Sequence, residues 1–161
     1  MAKIQFEGID EYIAQLEKIY GDTEEIIGAA IYQGAGVVMK SVVNAIEEIQ
    51  TDERFGTPEN KTVGPNSYQK EGLRRSIGIA KMRKDGSFWN VKIGFSGYNK
   101  ITTKTWPSGQ PNAMVARSVE SGTSWMQKQP FMRKAEQSSR SRCEKVMSET
   151  VDKEIQRIRG D

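Results

Sequence analysis

The chain contains no histidine and a single cysteine, Cys143, in 161 residues. The first absence removes the side chain that most often acts as a general base near neutral pH and as a zinc ligand. The second excludes an internal disulfide and leaves any catalytic thiol without an imidazole to activate it. At helical spacing with Ser139 and Val146, Cys143 fits a small core residue. Hydrophobic residues make up 36% and charged residues 28%, on the polar side for a self-contained globule. The expected core is therefore modest, with partner subunits completing it. No apolar run approaches the ~18 residues of a membrane span. The opening Met1-Ala-Lys-Ile-Gln-Phe-Glu7 is charged and lacks the apolar centre of a signal peptide, so the expectation is a cytoplasmic chain.

Charge is present but unevenly placed. Residues 1–60 carry four Lys and Arg against twelve Asp and Glu, a net of −8. Residues 61–161 carry twenty against nine, a net of +11, which together give the formal +3. Two solvated faces would produce this pattern. So would a subunit whose acidic and basic surfaces meet those of its neighbours, because complementary potentials steer association and set its register.

In chain order, Ile4 and Phe6 alternate within residues 2–7, as in a short strand. Asp10 precedes Tyr12, Ile13, Leu16 and Ile19, which fit a short helix closed by Gly21. Asp22 and Thr23 are candidate caps for a longer helix over 23–50, with Glu24 and Glu25 at its positive end. Its stripe is Ile27, Ile31, Gly34, Val38, Val42, Ala45 and Ile49. Gly28, Gly34 and Gly36 weaken this helix by about 1 kcal/mol each relative to alanine. Either close packing by another element or a kink would account for them.

Residues 51–71 and 97–111 are polar and rich in Gly and Pro, and such long loops are usually functional or ordered by partners. Between them, Ile77 and Ile79 alternate, Lys84-Asp-Gly-Ser87 has turn chemistry, and Trp89, Val91, Ile93 and Phe95 form the clearest strand. In residues 112–121, Val115, Ala116 and Val119 share a helical face, and Gly122 stands where a left-handed cap is wanted. Pro130 opens a final helix over 130–158, where the first turn needs no amide hydrogen. The fold class is α+β: a small antiparallel sheet on residues 75–95 covered by two long helices and a short one, in one domain over 1–161.

Chemistry has few footholds. Gly56-Thr-Pro-Glu-Asn-Lys-Thr62 has the outline of a phosphate loop but lacks the second glycine, and Pro58 removes one cradling amide. The pairs Glu24/Glu25 and Glu47/Glu48 point about 100° apart on a helix and do not converge. Glu120 is placed to pair with Arg117 or to bind amides of the following turn. Arg74, Arg75, Lys81, Arg83, Lys84 and Lys92 cluster around the hairpin with Phe88 and Trp89 among them, a pattern that a phosphate-binding sheet shares. The acidic first third and the alternation of Trp89 with apolar residues weigh against a dedicated DNA binder.

Val119-Glu-Ser-Gly-Thr-Ser124 followed by Gln129-Pro-Phe-Met-Arg-Lys-Ala135 resembles the signature of a tailed-phage tail-component or tail-completion family, similar in role to minor tail protein Z. Phe6-Glu-Gly-Ile-Asp-Glu-Tyr-Ile-Ala-Gln-Leu16 resembles that family's opening helix. Gly72-Leu-Arg-Arg-Ser-Ile77 resembles its entry to the sheet, and Val91-Lys-Ile-Gly94 the strand before the signature. The resemblance implies a non-enzymatic, cofactor-free virion component at the head-proximal end of a phage tail or tail-like particle. It would be assembled in the host bacterial cytoplasm as a ring of identical subunits. Its neighbours would be head-closure, tail-terminator or tail-tube proteins, with no membrane contact, and DNA would pass through the lumen without sequence-specific contacts. The expected structural hinge comprises Arg117, Val119, Glu120, Gly122, Thr123, Pro130 and Phe131. The expected subunit interface comprises Glu47, Glu48, Arg74, Arg75, Lys81, Arg83 and Trp106. The alternatives are a basic nucleic-acid-binding accessory protein and a small enzyme of unrecognised type.

Overall fold

A computed structural model describes residues 2–3, 13 and 23–159. Among these, the elements in order are β1 (Ala2–Lys3), α1 (Thr23–Glu47), α2 (Ser67–Ser76), β2 (Ile77–Ile79) and β3 (Arg83–Asp85). They continue with β4 (Phe88–Asn90), β5 (Lys92–Phe95), α3 (Asn112–Ser121) and α4 (Phe131–Arg159). This is the expected α+β architecture, with two long helices packed together beside small antiparallel sheets. The expected strand over 2–7 and helix near 10–21 lie largely outside the described residues. Ala2–Lys3 is a strand, and Ile13 is helical and half-buried against the core.

Helices α1 and α4 run antiparallel, as contacts along their length show. Glu48 pairs with Lys134 at one end, and Glu25 meets Arg157 at 3.0 Å at the other. Between them Ser41 Oγ donates to the Ala135 carbonyl at 3.3 Å. Every residue of the expected α1 stripe is buried, including Ile49 just beyond the helix end. By length and composition alone α1 could cross a membrane. Here that apolarity covers α4 and the sheet. On α4 the buried row is Phe131, Ala135, Ser139, Cys143 and Met147, an unbroken step of four. Met147 replaces the expected Val146, which is half-buried. Beyond Met147 no described α4 side chain is fully buried. Burial, helped by the nearby Glu144 charge, pushes the Cys143 thiol up to about 11, as expected of an inert core residue.

Of the three glycines in α1, one has a clear steric cause. A Cβ on Gly34 would lie 2.6 Å from Met147 Cγ and 3.0 Å from Cys143 Sγ, so these α4 side chains already fill the space a larger residue would need. At Gly28 the nearest atom would be Met82 Cε at 3.4 Å, and at Gly36 there is open space. The close-packing expectation therefore holds at Gly34 and fails at Gly36.

In one sheet β5 is central, flanked antiparallel by β1 and β2, with Ala2 opposite Ile93 and Gly78 opposite Gly94. The hairpin β3–β4 forms a separate pair, closed within Lys84-Asp-Gly-Ser87 by a two-residue Gly86-Ser87 turn whose first residue, Gly86, has φ 62°. The expected continuous strand from Trp89 to Phe95 is interrupted at Val91, so its two halves serve different sheets. Trp89 is half-buried, with Lys84 Nζ 4.9 Å above its ring, rather than a full core residue. A second correction concerns the loop expected over 51–71, which ends where α2 starts at Ser67. Asn66 Oδ1 accepts the Gln69 amide at 2.9 Å and Gln69 Oε1 accepts the Asn66 amide at 3.0 Å, a reciprocal capping box. The 97–111 segment has no helix or strand of more than one residue, yet it is closed by backbone bonds from Asn99 to Gln110 and from Asn112 to Gly97.

The contrast between Gly34 and Gly36 is measurable. Gly34→Val should lower unfolding free energy in urea by about 1–3 kcal/mol through overpacking against Met147. Gly36→Ala should leave it equal or raise it by up to about 1 kcal/mol through helix propensity. Equal effects at the two positions would show that α1 and α4 are not in this register.

Candidate functional site

Two features stand out: a rigid corner joining α3 to α4, and an open groove beside it. Helix α3 stops at Gly122, whose φ of 73° and ψ of 171° lie in a region almost reserved for glycine. The expected glycine stop is there, although its ψ is extended rather than left-handed helical. Its amide donates to the Ser118 carbonyl at 2.8 Å. Thr123 then forms a tight turn, its amide donating to the Met126 carbonyl at 2.9 Å and its Oγ1 accepting the Met126 amide at 3.0 Å. The Gln129 amide donates back to the Val119 carbonyl at 2.7 Å. Pro130 immediately precedes α4 and its carbonyl accepts the first helical bond, from Lys134 at 3.1 Å.

The first amides of α4 have no partner inside the helix. Glu120 supplies one, its carboxylate accepting from Met132 at 2.8 Å and from Arg133 at 3.1 Å. Negative charge at the helix's positive end adds to the bond energy. Of its two expected partners, Glu120 thus takes the amides, and Arg117 is left exposed on the groove. Phe131 is buried and meets Phe95 edge-on, with ring centroids 6.0 Å apart at 62°. It anchors α4 to the sheet as expected.

Residues 51–66 are stitched to this corner. Thr62 donates its amide to the Trp125 carbonyl and accepts from the Gln127 amide, both at 2.9 Å. Gln129 binds three backbone groups: its Oε1 accepts the Gln50 amide at 2.9 Å, and its Nε2 donates to the carbonyls of Gln50 at 3.0 Å and Val63 at 2.8 Å. Lys70 Nζ donates to the carbonyls of Glu47 at 2.8 Å and Ile49 at 2.9 Å, placing a cation at the C-terminus of α1. Asp52, whose side chain is 8% exposed, accepts from the Arg54 guanidinium at 3.0 and 2.7 Å and from the Val63 amide at 3.1 Å. Those bonds, the guanidinium's first, hold its carboxyl well below the usual carboxylate range. Sequence reasoning passed over Gln129, Lys70 and Asp52. Only the Asn66-to-Gln69 capping spacing carried a local signal.

The groove, of about 1130 Å³, lies between the exposed side of β2 and β5 and the facing parts of α3 and α4. Its floor is apolar or small: Gly78, Gly94, Phe95, Ala116 and Met132. Lys81, Arg83, Lys92, Arg117 and Arg133 surround it, and none forms an ion pair among the described residues. Its two acids are engaged elsewhere, Glu120 by the α4 amides and Glu136 by Arg140 at 3.1 Å.

The residues expected at a subunit interface fall in separate places. Lys81 and Arg83 line the groove. Arg74 and Arg75 both bind Glu71 and, in that order, hold its carboxyl down at about 2. Glu48 pairs with Lys134, Glu47 is exposed near the Arg74 charge, and Trp106 is half-buried in the 97–111 segment. Among the described residues there is no group of three His, Cys, Asp or Glu placed to hold a metal. No protein-family model matches the chain, and it matches no curated protein and no solved structure.

Replacing Glu120 by alanine should cost about 1–2 kcal/mol in urea unfolding, because two helix amides lose their acceptor. An unchanged midpoint would remove Glu120 from the cap. Asp52 makes a pH prediction. Its folded pKa is depressed, so its contribution is complete above the ordinary carboxylate value of 3.8 and is lost as pH falls below it. Asp52→Asn should flatten the acid limb of the stability profile between about pH 4 and pH 2. A variant with the same acid limb as wild type would show that Asp52 is not the group responsible.

Proposed function

We propose that this chain is a structural, non-enzymatic subunit of a phage tail or tail-like particle, acting in tail completion or head–tail joining as a member of a ring. The observation that carries this reading is the convergence of the separate motifs behind the resemblance. Leu73, Val91, Ile93, Val119 and Phe131 come from three stretches far apart in sequence and share one core. Gly72 lies so close to Asn112 at the head of α3 that a Cβ would sit 2.6 Å from its Oδ1. Glu120, Gly122 and Pro130 each set the direction of the chain at the corner. These residues build shape, which is what a ring subunit asks of its signature. Such a particle protein would be found in the virion tail or neck, with copies of itself and neck or tail-tube proteins as partners.

A nucleic-acid-binding accessory role is the second reading, and the five unpaired cations around the groove favour it. A phosphate binder loses affinity steeply with salt, so labelled duplex titrated from low to high salt separates the two. For the ring reading, size-exclusion chromatography with light scattering should show a defined oligomer that grows with protein concentration, and the chain should be detected in purified particles. A monomer at every concentration that is also missing from particles would overturn it.

A further inference from the structure

Phe55 is the most exposed aromatic side chain among the described residues, at 101% of its reference area, yet the backbone that carries it is firmly braced. On one side the Asp52 carboxylate binds the Arg54 amide at 3.1 Å as well as its guanidinium, and the Asp52 amide donates to the Pro65 carbonyl at 3.0 Å. On the other, Gly56 sits against the Trp125 carbonyl so tightly that a Cβ would be 1.9 Å away. Thr57 and Asn60 then exchange backbone bonds of 3.1 and 3.2 Å. The ring is therefore held out in water by a preformed loop, which loses little freedom when it meets a partner. Because Arg54 neutralises Asp52 and the Glu53 carboxylate accepts the Ser67 amide at 2.8 Å, the acid left unengaged beside Phe55 is Glu59.

Another face of the same chain has the complementary character: an apolar-floored groove with Lys81, Arg83, Lys92, Arg117 and Arg133 around it and its acids already engaged. We infer that the Glu53–Glu59 loop of one copy seats in this groove on a second copy, with Phe55 as the apolar anchor on its floor and Glu59 against the basic rim. A buried aromatic ringed by polar contacts is the usual form of an interface hot spot, and opposite potentials orient the approach. Knob and groove share no residue, so the contact is head-to-tail and repeats from copy to copy. The inference rests on the ring-subunit reading and names the contact that would close it.

Two single-cysteine variants beside the contact residues, Pro58→Cys and Ala80→Cys, each made in the full chain with Cys143→Ala, provide the test. With a short bismaleimide, a covalent dimer should form when the two are mixed and not with either alone. Phe55→Ala should weaken self-association at least tenfold by light scattering while leaving the melting curve unchanged, since the side chain touches nothing within its own chain. Lys81→Glu should weaken it too, and Glu59→Lys in the same chain should restore part of the loss. An oligomer that persists in Phe55→Ala and yields no mixed crosslink overturns this contact and leaves the ring reading standing. A chain that stays monomeric at high concentration overturns the contact, and the ring reading falls with it only if the chain is also absent from particles. Duplex DNA bound in a way that Arg83→Glu abolishes and Phe55→Ala does not affect assigns the groove to a polyanion and likewise overturns it.

Discussion

Helix α4 begins with backbone amides that no turn of the helix can satisfy, and the Glu120 carboxylate closes on two of them. That contact sets the direction in which α4 leaves the corner. Direction then decides register: Ala135 comes to lie by Ser41, Cys143 and Met147 against Gly34, and Arg157 beside Glu25. A helix leaving at another angle would place Met147 over a residue with a side chain, and the contact between the long helices would open. The sheet shares this dependence, because Phe95 packs on Phe131 in the first turn of the same helix.

The corner is also where a second long stretch becomes ordered. Residues 51–66 contain no helix and only one isolated bridge, yet they are tied down by bonds at Asp52, Thr62, Val63 and Pro65. Thr62 bridges to the 125–127 strand-like segment, Gln129 binds three backbone groups, and Asp52 gathers Arg54 and Val63. Polar composition there signifies a segment whose bonds are made to another part of the chain rather than to water. Among the described residues the acidic and basic halves meet in exposed pairs, Glu48 with Lys134 and Glu25 with Arg157. Exposed pairs of this kind contribute little to stability.

What was legible in sequence followed periodicity. The stripe of α1, the bounds of α3 and the start of α4 were set by apolar spacing and by Gly122 and Pro130, each a local property. Glu120 was legible as well, since an acid just before a turn has few roles. Helix α2 was missed because Leu73 is its one buried residue, so its amphipathic pattern was faint beside the polar run before it. The break at Val91 was hidden because alternation fixes faces and says nothing about which neighbour a strand chooses. Gln129 gave no signal, for its partners lie 66 and 79 positions away. The groove could not be foreseen at all, being a space between elements.

The antiparallel pairing of α1 with α4 joins the beginning of the described globule to its end, and this has a consequence during synthesis. At about 5–20 residues per second, several seconds separate the emergence of α1 from that of the helix that covers it. Through that interval a 25-residue apolar helix has the smaller contacts of α2 and β2 to pack on and lacks its main partner. Among the described elements α2, the hairpin and α3 can form early, while the largest contact waits until α4 has been made. A chain truncated within α4 would therefore lose far more than its own length suggests, because the largest contact among the described elements goes with it.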